Sequence, residues 1–378
     1  TNAPTATRVY RRRRRSPARC AGRVRHATSS RQILNECVGY APPPQALVVS
    51  GNCVLNIRNG WWLLAVTGAL IISSCNSSPE QPADVVIAGA HSGGSALTTS
   101  PDSRLVASGG WSGRIRLWHL PDGTPAGGWQ AHGDSVNGIV FLGDGSRLLS
   151  AGFDGRMAIW NLAGRRLQAW DTGSPVTALS ARRDREVLAT GHADGSVRLW
   201  NAEGRALGAW PGVHRNRVRE VALSDRGDAI ASAGTDRRVY WWTYQGSPQR
   251  LDDPPSDARA LLFSQDGATL IGAGWFRLFR WGLPGGGLSS MPTDHAGIIN
   301  DLEFLPDGRL ASISRQTDSA VLLLDAATGT TLQRLQRHEL CGVAVSPSPD
   351  GRFLATTSDD ASVRIWQLDE SPSQAGGR

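Results

Sequence analysis

Tryptophan returns at a nearly fixed interval along this chain. Trp118, Trp160, Trp200, Trp242, Trp281 and Trp366 each sit in a short apolar segment such as Ile115-Arg116-Leu117-Trp118, and Leu324 holds the same place in Val321-Leu322-Leu323-Leu324. The intervals are 42, 40, 42, 39, 43 and 42 residues. A period of that length marks a repeat architecture, in which one unit cannot bury its own apolar face and stacked neighbours do so together. Seven units are read.

Each unit repeats more than its tryptophan. A hydroxyl stands ten residues earlier (Ser108, Ser150, Thr190, Ser232, Ser314, Thr356), with Ile271 the exception. An aspartate stands six residues earlier (Asp154, Asp194, Asp236, Asp318, Asp360), with Ser112 and Trp275 the exceptions. A histidine stands 27–29 residues earlier (His91, His132, His214, His295, His338) and is missing from units three and five. Turn-forming dipeptides such as Asp144-Gly145 and Asp350-Gly351 lie between; Asp and Gly suit tight turns because they tolerate positive φ. Short strands joined by such turns, with 44 Gly and 14 Trp in 378 residues, point to an all-β fold.

The pattern resembles the WD-repeat family over residues 84–370, which implies a seven-bladed β-propeller of four-stranded blades. In that family the histidine, hydroxyl, aspartate and tryptophan form a buried relay inside each blade. The resemblance assigns that structural role here to His132, Ser150, Asp154 and Trp160, to His214, Ser232, Asp236 and Trp242, and to His338, Thr356, Asp360 and Trp366. Fully paired buried polar groups fix one geometry. Unit five, with Ile271 and Trp275, is expected to be the most irregular. His192 is off the histidine register and reads as an ordinary turn residue. The Trp-Asp dipeptide that names the family is mostly absent; only Leu324-Asp325 keeps the acid. In propellers of this kind the outer strand of the last blade comes from the N-terminal end, so residues 84–88 (Asp-Val-Val-Ile-Ala) are expected to close the ring and remove its open edges. Trp129, Trp170 and Trp210 are expected on outer strands, packed between blades.

The N-terminal quarter reads differently. Residues 1–53 carry Arg11 to Arg15 in a row and no structural period; they are a disordered basic tail or an extension outside the natural protein, with an arm for nucleic acid or anionic lipid the third alternative. Residues 54–75 hold the 12-residue apolar run Trp61–Ile72, too short to span a bilayer but suited to a signal peptide. It leads into Ile72-Ser73-Ser74-Cys75, which resembles the lipobox of bacterial lipoproteins. That resemblance implies acylation at Cys75 and a lipid-anchored, periplasm-facing protein of the cell envelope, at the outer membrane rather than the inner; the alternative is a soluble cytoplasmic scaffold. Residues 76–83 read as a linker and 371–378 as a flexible tail.

Charge separates the two parts. Residues 1–58 hold 11 Arg and Glu36, a net of +10, and the remaining 320 residues hold 29 Arg against 32 acids, a net of −3. A nearly neutral repeat region argues against a general nucleic-acid surface, which needs clustered positive charge. There is no CxxC pair and no nucleophile, phosphate-loop or metalloprotease motif, so no cofactor and no metal are expected. The leading expectation is a non-catalytic platform that binds another protein, with a propeller enzyme or small-ligand binder using the central channel as the alternative. By the resemblance, partners dock around one mouth of the channel, which maps here to Trp111, Asn137, Phe153, Thr177, Arg217, Arg219, Arg259 and Asn300. Trp is over-represented at binding hot spots, and the arginines suit an acidic partner.

Overall fold

The computed structural model describes residues 79–369, except 183–186, 226–227 and 286. The segments 1–53 and 54–75 with Cys75, and the tail 371–378, lie outside the described residues. Seven four-stranded antiparallel sheets form a ring. Blades 1 to 6 are each built from four consecutive strands. Blade 7 takes three strands from the C-terminal end and its outermost, Val85–Ile87, from the N-terminal end. That strand pairs antiparallel with Val363–Gln367, placing Val85 opposite Ile365 and Ile87 opposite Val363. The ring is therefore closed by the expected segment.

Burial is greatest in the second strand of a blade and least in the outer one. In blade 2 the second strand, Arg147–Gly152, is buried from Leu148 onward because blades cover both its faces, while the outer strand Arg166–Asp171 is exposed except for Trp170. Such doubly covered strands need apolar or small residues on both faces, which explains the runs Leu148-Leu149-Ser150-Ala151 and Ile230-Ala231-Ser232-Ala233. The second tryptophan series sits between blades. Trp129 meets Trp160, Trp170 meets Trp200 and Trp210 meets Trp242, with ring centroids 5.8, 6.4 and 5.3 Å apart. Cys341 is buried in blade 7. No helix among the described residues is long and apolar enough to cross a membrane.

Ahead of the closing strand the chain is docked as well. Gln81 forms a parallel bridge with Leu335 on the outer strand of blade 6. Its N–H donates to the Arg334 carbonyl at 2.9 Å, and its carbonyl accepts from Gln336 N–H at 2.8 Å. The segment thus straps blade 6 to blade 7 before the chain enters its own strand.

Candidate functional site

The buried relays occur in several forms. In blade 2, His132 Nδ1–H donates to Asp154 at 3.0 Å, Ser150 O–H donates to His132 Nε2 at 2.8 Å, and the Trp160 indole N–H donates to Ser150 Oγ at 2.9 Å. Blades 4 and 7 keep the His–Asp and His–hydroxyl bonds, at 2.9 and 2.9 Å for His214 and 3.0 and 2.7 Å for His338. The expectation that tryptophan closes the relay in all three fails in these two. The Trp242 N–H is buried without a partner, its ring held edge-on against Trp210. The Trp366 N–H turns outward to the Gln81 carbonyl at 3.3 Å, because the strap brings that acceptor to it.

Two further assignments need correction. His192 is no ordinary turn residue: it is fully buried, its Nε2 accepts from Thr190 Oγ1 at 2.8 Å, and its Nδ1–H reaches the Ser174 carbonyl at 3.1 Å. With Trp200 N–H on Thr190 Oγ1 at 2.8 Å, blade 3 rebuilds the relay from a different chain position. In blade 6 the hydroxyl facing His295 Nε2, at 2.8 Å, belongs to Ser312 rather than Ser314. Ser312 lies opposite Leu322, as Ser150 lies opposite Ala158, and the longer turn between those strands shifts the count by two. Ser314 instead donates to Asp318. Burial lowers the pKa of His91 and of His192 to about 4; for His91 the Arg116 charge adds to that effect. Burial also lowers those of His214 and His338, against the pull of Asp236 and Asp360. These imidazoles are neutral struts.

The ring encloses a channel of about 790 Å³. Of the eight residues mapped to the docking face, seven line it: Asn137, Phe153, Thr177, Arg217, Arg219, Arg259 and Asn300. Trp111 does not. It lies on the blade 1 turn with its ring packed so closely over Gly93 that a Cβ there would stand 2.6 Å from it.

A β-bulge near the start of the inner strand aims four of these side chains, Asn137, Thr177, Arg219 and Asn300. The register skips Ser95, Asn137, Thr177, Arg219, Asn300 and Val343 in blades 1, 2, 3, 4, 6 and 7; a bulge re-aims the residue it leaves unpaired. Four of the six then latch onto the next blade. Ser95 Oγ donates to Val136 O at 2.6 Å, Asn137 Nδ2 to Val176 O at 2.8 Å, Thr177 Oγ1 to Val218 O at 2.8 Å and Asn300 Nδ2 to Val343 O at 2.7 Å. The polar groups of Asn137, Thr177 and Asn300 are therefore already engaged in holding the ring. At blades 4 and 5 arginines stand there instead: Arg219 in the bulge and Arg259 just ahead of Ala260–Phe263.

Sequence reasoning missed the acids of the same sector. The residue after the bulge is small in blades 1, 2, 3 and 7 (Ala96, Gly138, Ala178, Ala344) but is Glu220 in blade 4 and Asp301 in blade 6. Burial, then the nearby Asp301, raises the Glu220 pKa well above the usual carboxylate range. Burial raises that of Asp301 to about 7, held down only by the Val345 and Leu302 N–H groups. An alignment of the inner strands on their bulges would have exposed both. Among the described residues no cluster has the geometry to hold a metal ion.

A model of the family described as "WD domain, G-beta repeat" matches residues 85–119, 123–161, 164–201, 212–243 and 329–367. The chain is a β-propeller that carries WD repeats. The unmatched stretch between 243 and 329 of this propeller contains the whole of blade 5, where Ile271 and Trp275 break the pattern. Curated relatives are WD-repeat proteins of eukaryotes. The propeller is 29% identical over 176 residues to the nuclear distribution protein PAC1 of Arthroderma benhamiae, covering 42% of this chain and 37% of that protein. It is 36% identical over 84 residues to the pre-rRNA-processing protein IPI3 of Mycosarcoma maydis (22% and 14%). It is 24% identical over 277 residues to periodic tryptophan protein 2 of Arabidopsis thaliana (72% and 22%). The propeller thus spans less than two fifths of the length of these relatives.

Proposed function

We propose that this propeller is a non-catalytic platform that binds another protein over one mouth of its channel. The convergence of Phe153, Arg217, Arg219 and Arg259 on that mouth carries the reading. An aromatic residue on one side of the rim and arginines, a residue type enriched at binding hot spots, on the other offer an apolar anchor and charged contacts to one partner. The engaged amides and hydroxyl of Asn137, Thr177 and Asn300 tie neighbouring blades together at the mouth. The test is affinity purification from native cells with the wild type and a Phe153→Ala/Arg217→Glu variant. A stoichiometric partner retained by the wild type and lost by the variant supports the reading; equal recovery discards this face.

The lipobox-like Ile72-Ser73-Ser74-Cys75 supports a second element of the proposal, in which an acyl anchor on Cys75 holds the propeller on the periplasmic side of a bacterial envelope, at the outer membrane. One acyl chain gives only marginal binding, so a stable anchor needs two or more. Metabolic labelling with palmitate decides: label in the wild type and none in Cys75→Ser supports the anchor, whereas no label in either favours the soluble cytoplasmic scaffold.

A small-ligand reading of the channel is favoured by one observation, the presence of the buried acids Glu220 and Asp301 in its wall. A thermal-shift screen of small organic cations at pH 8 tests it; no change in Tm with any of them removes it.

A further inference from the structure

Every blade turns between its second and third strands on the mouth side, and the residue five before the strand tryptophan, or before Leu324 in blade 6, is left-handed in all seven. Blades 1 to 3 place Gly113, Gly155 and Gly195 there, at φ of 76°, 76° and 81°. Blades 4, 6 and 7 place Arg237, Ser319 and Ala361 there, at 65°, 45° and 67°. Blade 5 places Phe276 there, at φ 58°. Glycine is the natural occupant, and a bulky side chain in this region is strained.

The strain is not offset by burial. Phe276 is 43% exposed, one of the few large apolar side chains so exposed among the described residues. The turn is nonetheless held firmly. Phe276 N–H donates to Gly297 O at 3.2 Å, Phe276 O accepts from Thr293 N–H at 2.8 Å, and Trp275 N–H donates to Ser256 Oγ at 3.0 Å. Trp275 occupies the position of the relay aspartate and tucks its ring against Phe276, centroids 5.2 Å apart. Blade 5 has thus given up its relay and carries a rigid aromatic knob. Strain held by surrounding structure at an exposed turn points to function, and breaches of local pattern concentrate at such sites.

The charges around the knob define what fits it. Arg277 follows it and is exposed. One blade further round, on blade 4, Arg215 is exposed and Arg217 lines the channel. None of the three pairs with a carboxylate among the described residues. Acids of the adjoining loops are already engaged: Asp294, on the loop that bonds Phe276, with Arg334 at 3.0 Å, Asp257 with Arg237 at 3.3 Å, and Asp236 with His214.

We infer that the Trp275–Phe276 knob, its neighbour Arg277 and the blade 4 arginines Arg215 and Arg217 together form the specificity-determining part of the docking face, and that its partner is a protein segment long enough to cross blades 4 and 5, carrying an aromatic or aliphatic residue and carboxylates. This rests on the platform reading and narrows it to blades 4 and 5. The probe is a displayed library of random short peptides panned on the full chain, followed by anisotropy titrations with the enriched peptides. Enriched sequences pair acids with an apolar residue, bind at least about tenfold more weakly to Phe276→Ala and to Arg277→Glu, and lose affinity as salt rises. Phe276→Gly guards against misfolding: glycine relieves the left-handed strain, so this variant melts no lower than the wild type and still fails to bind. Basic or neutral enriched sequences overturn the inference. So do peptides indifferent to Phe276→Gly but lost in Phe153→Ala, an outcome that leaves the platform reading standing. No enrichment at all sinks both.

Discussion

His192 Nε2 stands 2.8 Å from the hydroxyl of Thr190, two residues earlier in the same strand. In blades 2, 4 and 7 the equivalent bond joins residues 18 apart. The fold therefore requires an imidazole at that point in space and accepts it from either direction along the chain.

His192→Ala is expected to destabilise the propeller by about 3 kcal/mol, from a buried cavity and a Thr190–Trp200 pair left half-satisfied. Urea unfolding measures it. A loss below that of an ordinary surface substitution would return His192 to the status of a turn residue.

His91 and His192 give the acid limb of stability. Their folded pKa of about 4 lies below the unfolded value of about 6.5. The unfolded chain thus binds more protons between those values, and stability falls as pH drops from about 6.5 to about 4. His192→Asn should flatten part of this limb, seen as a shallower change of Tm across that window.

Asp301 works in the opposite direction. Its folded pKa of about 7 lies above the unfolded value, so the native state holds the extra proton and stability falls as pH rises from about 4 to about 7. Asp301→Asn removes the charge, so it should gain on the wild type at pH 8 by on the order of 2 kcal/mol and show little gain at pH 4.5. Equal effects at both pH values would show that Asp301 acts only through its hydrogen bonds to Val345 and Leu302.

Two tryptophans separate indole hydrogen bonding from packing. Trp160 N–H is bonded to Ser150, whereas Trp242 N–H is buried and unbonded. Trp160→Phe should therefore cost about 1 kcal/mol more than Trp242→Phe. Equal losses would mean that the relay contributes no stability through its indole.

The seven-fold period, the closing strand and the inter-blade tryptophans were legible because each is a matter of spacing along the chain. The errors arose where spacing and position part company. Counting ten residues back from Leu324 leads to Ser314, whereas the longer turn between the strands puts Ser312 opposite His295. His192 reads as a turn residue from its register, although its buried imidazole reaches the relay hydroxyl. Glu220, Asp301 and Phe276 were missed because the inner strands and the left-handed turn positions can be aligned only once the bulges and backbone angles are known. Trp111, Phe153 and the arginines were placed through family resemblance, and the structure brings all but Trp111 to the channel wall.

The strap at Gln81 bears on mechanics. A pull applied at the N-terminal side meets the Gln81 bonds on blade 6 and the Trp366 indole before any tension reaches Val85–Ile87. Those contacts act as a cable clamp: the clamp slips first, and the strand that seals the circle is spared. A chain beginning at Asp84, with the seal but no clamp, should resist heat about as well as one beginning at Pro79, yet open at lower force in a single-molecule pull.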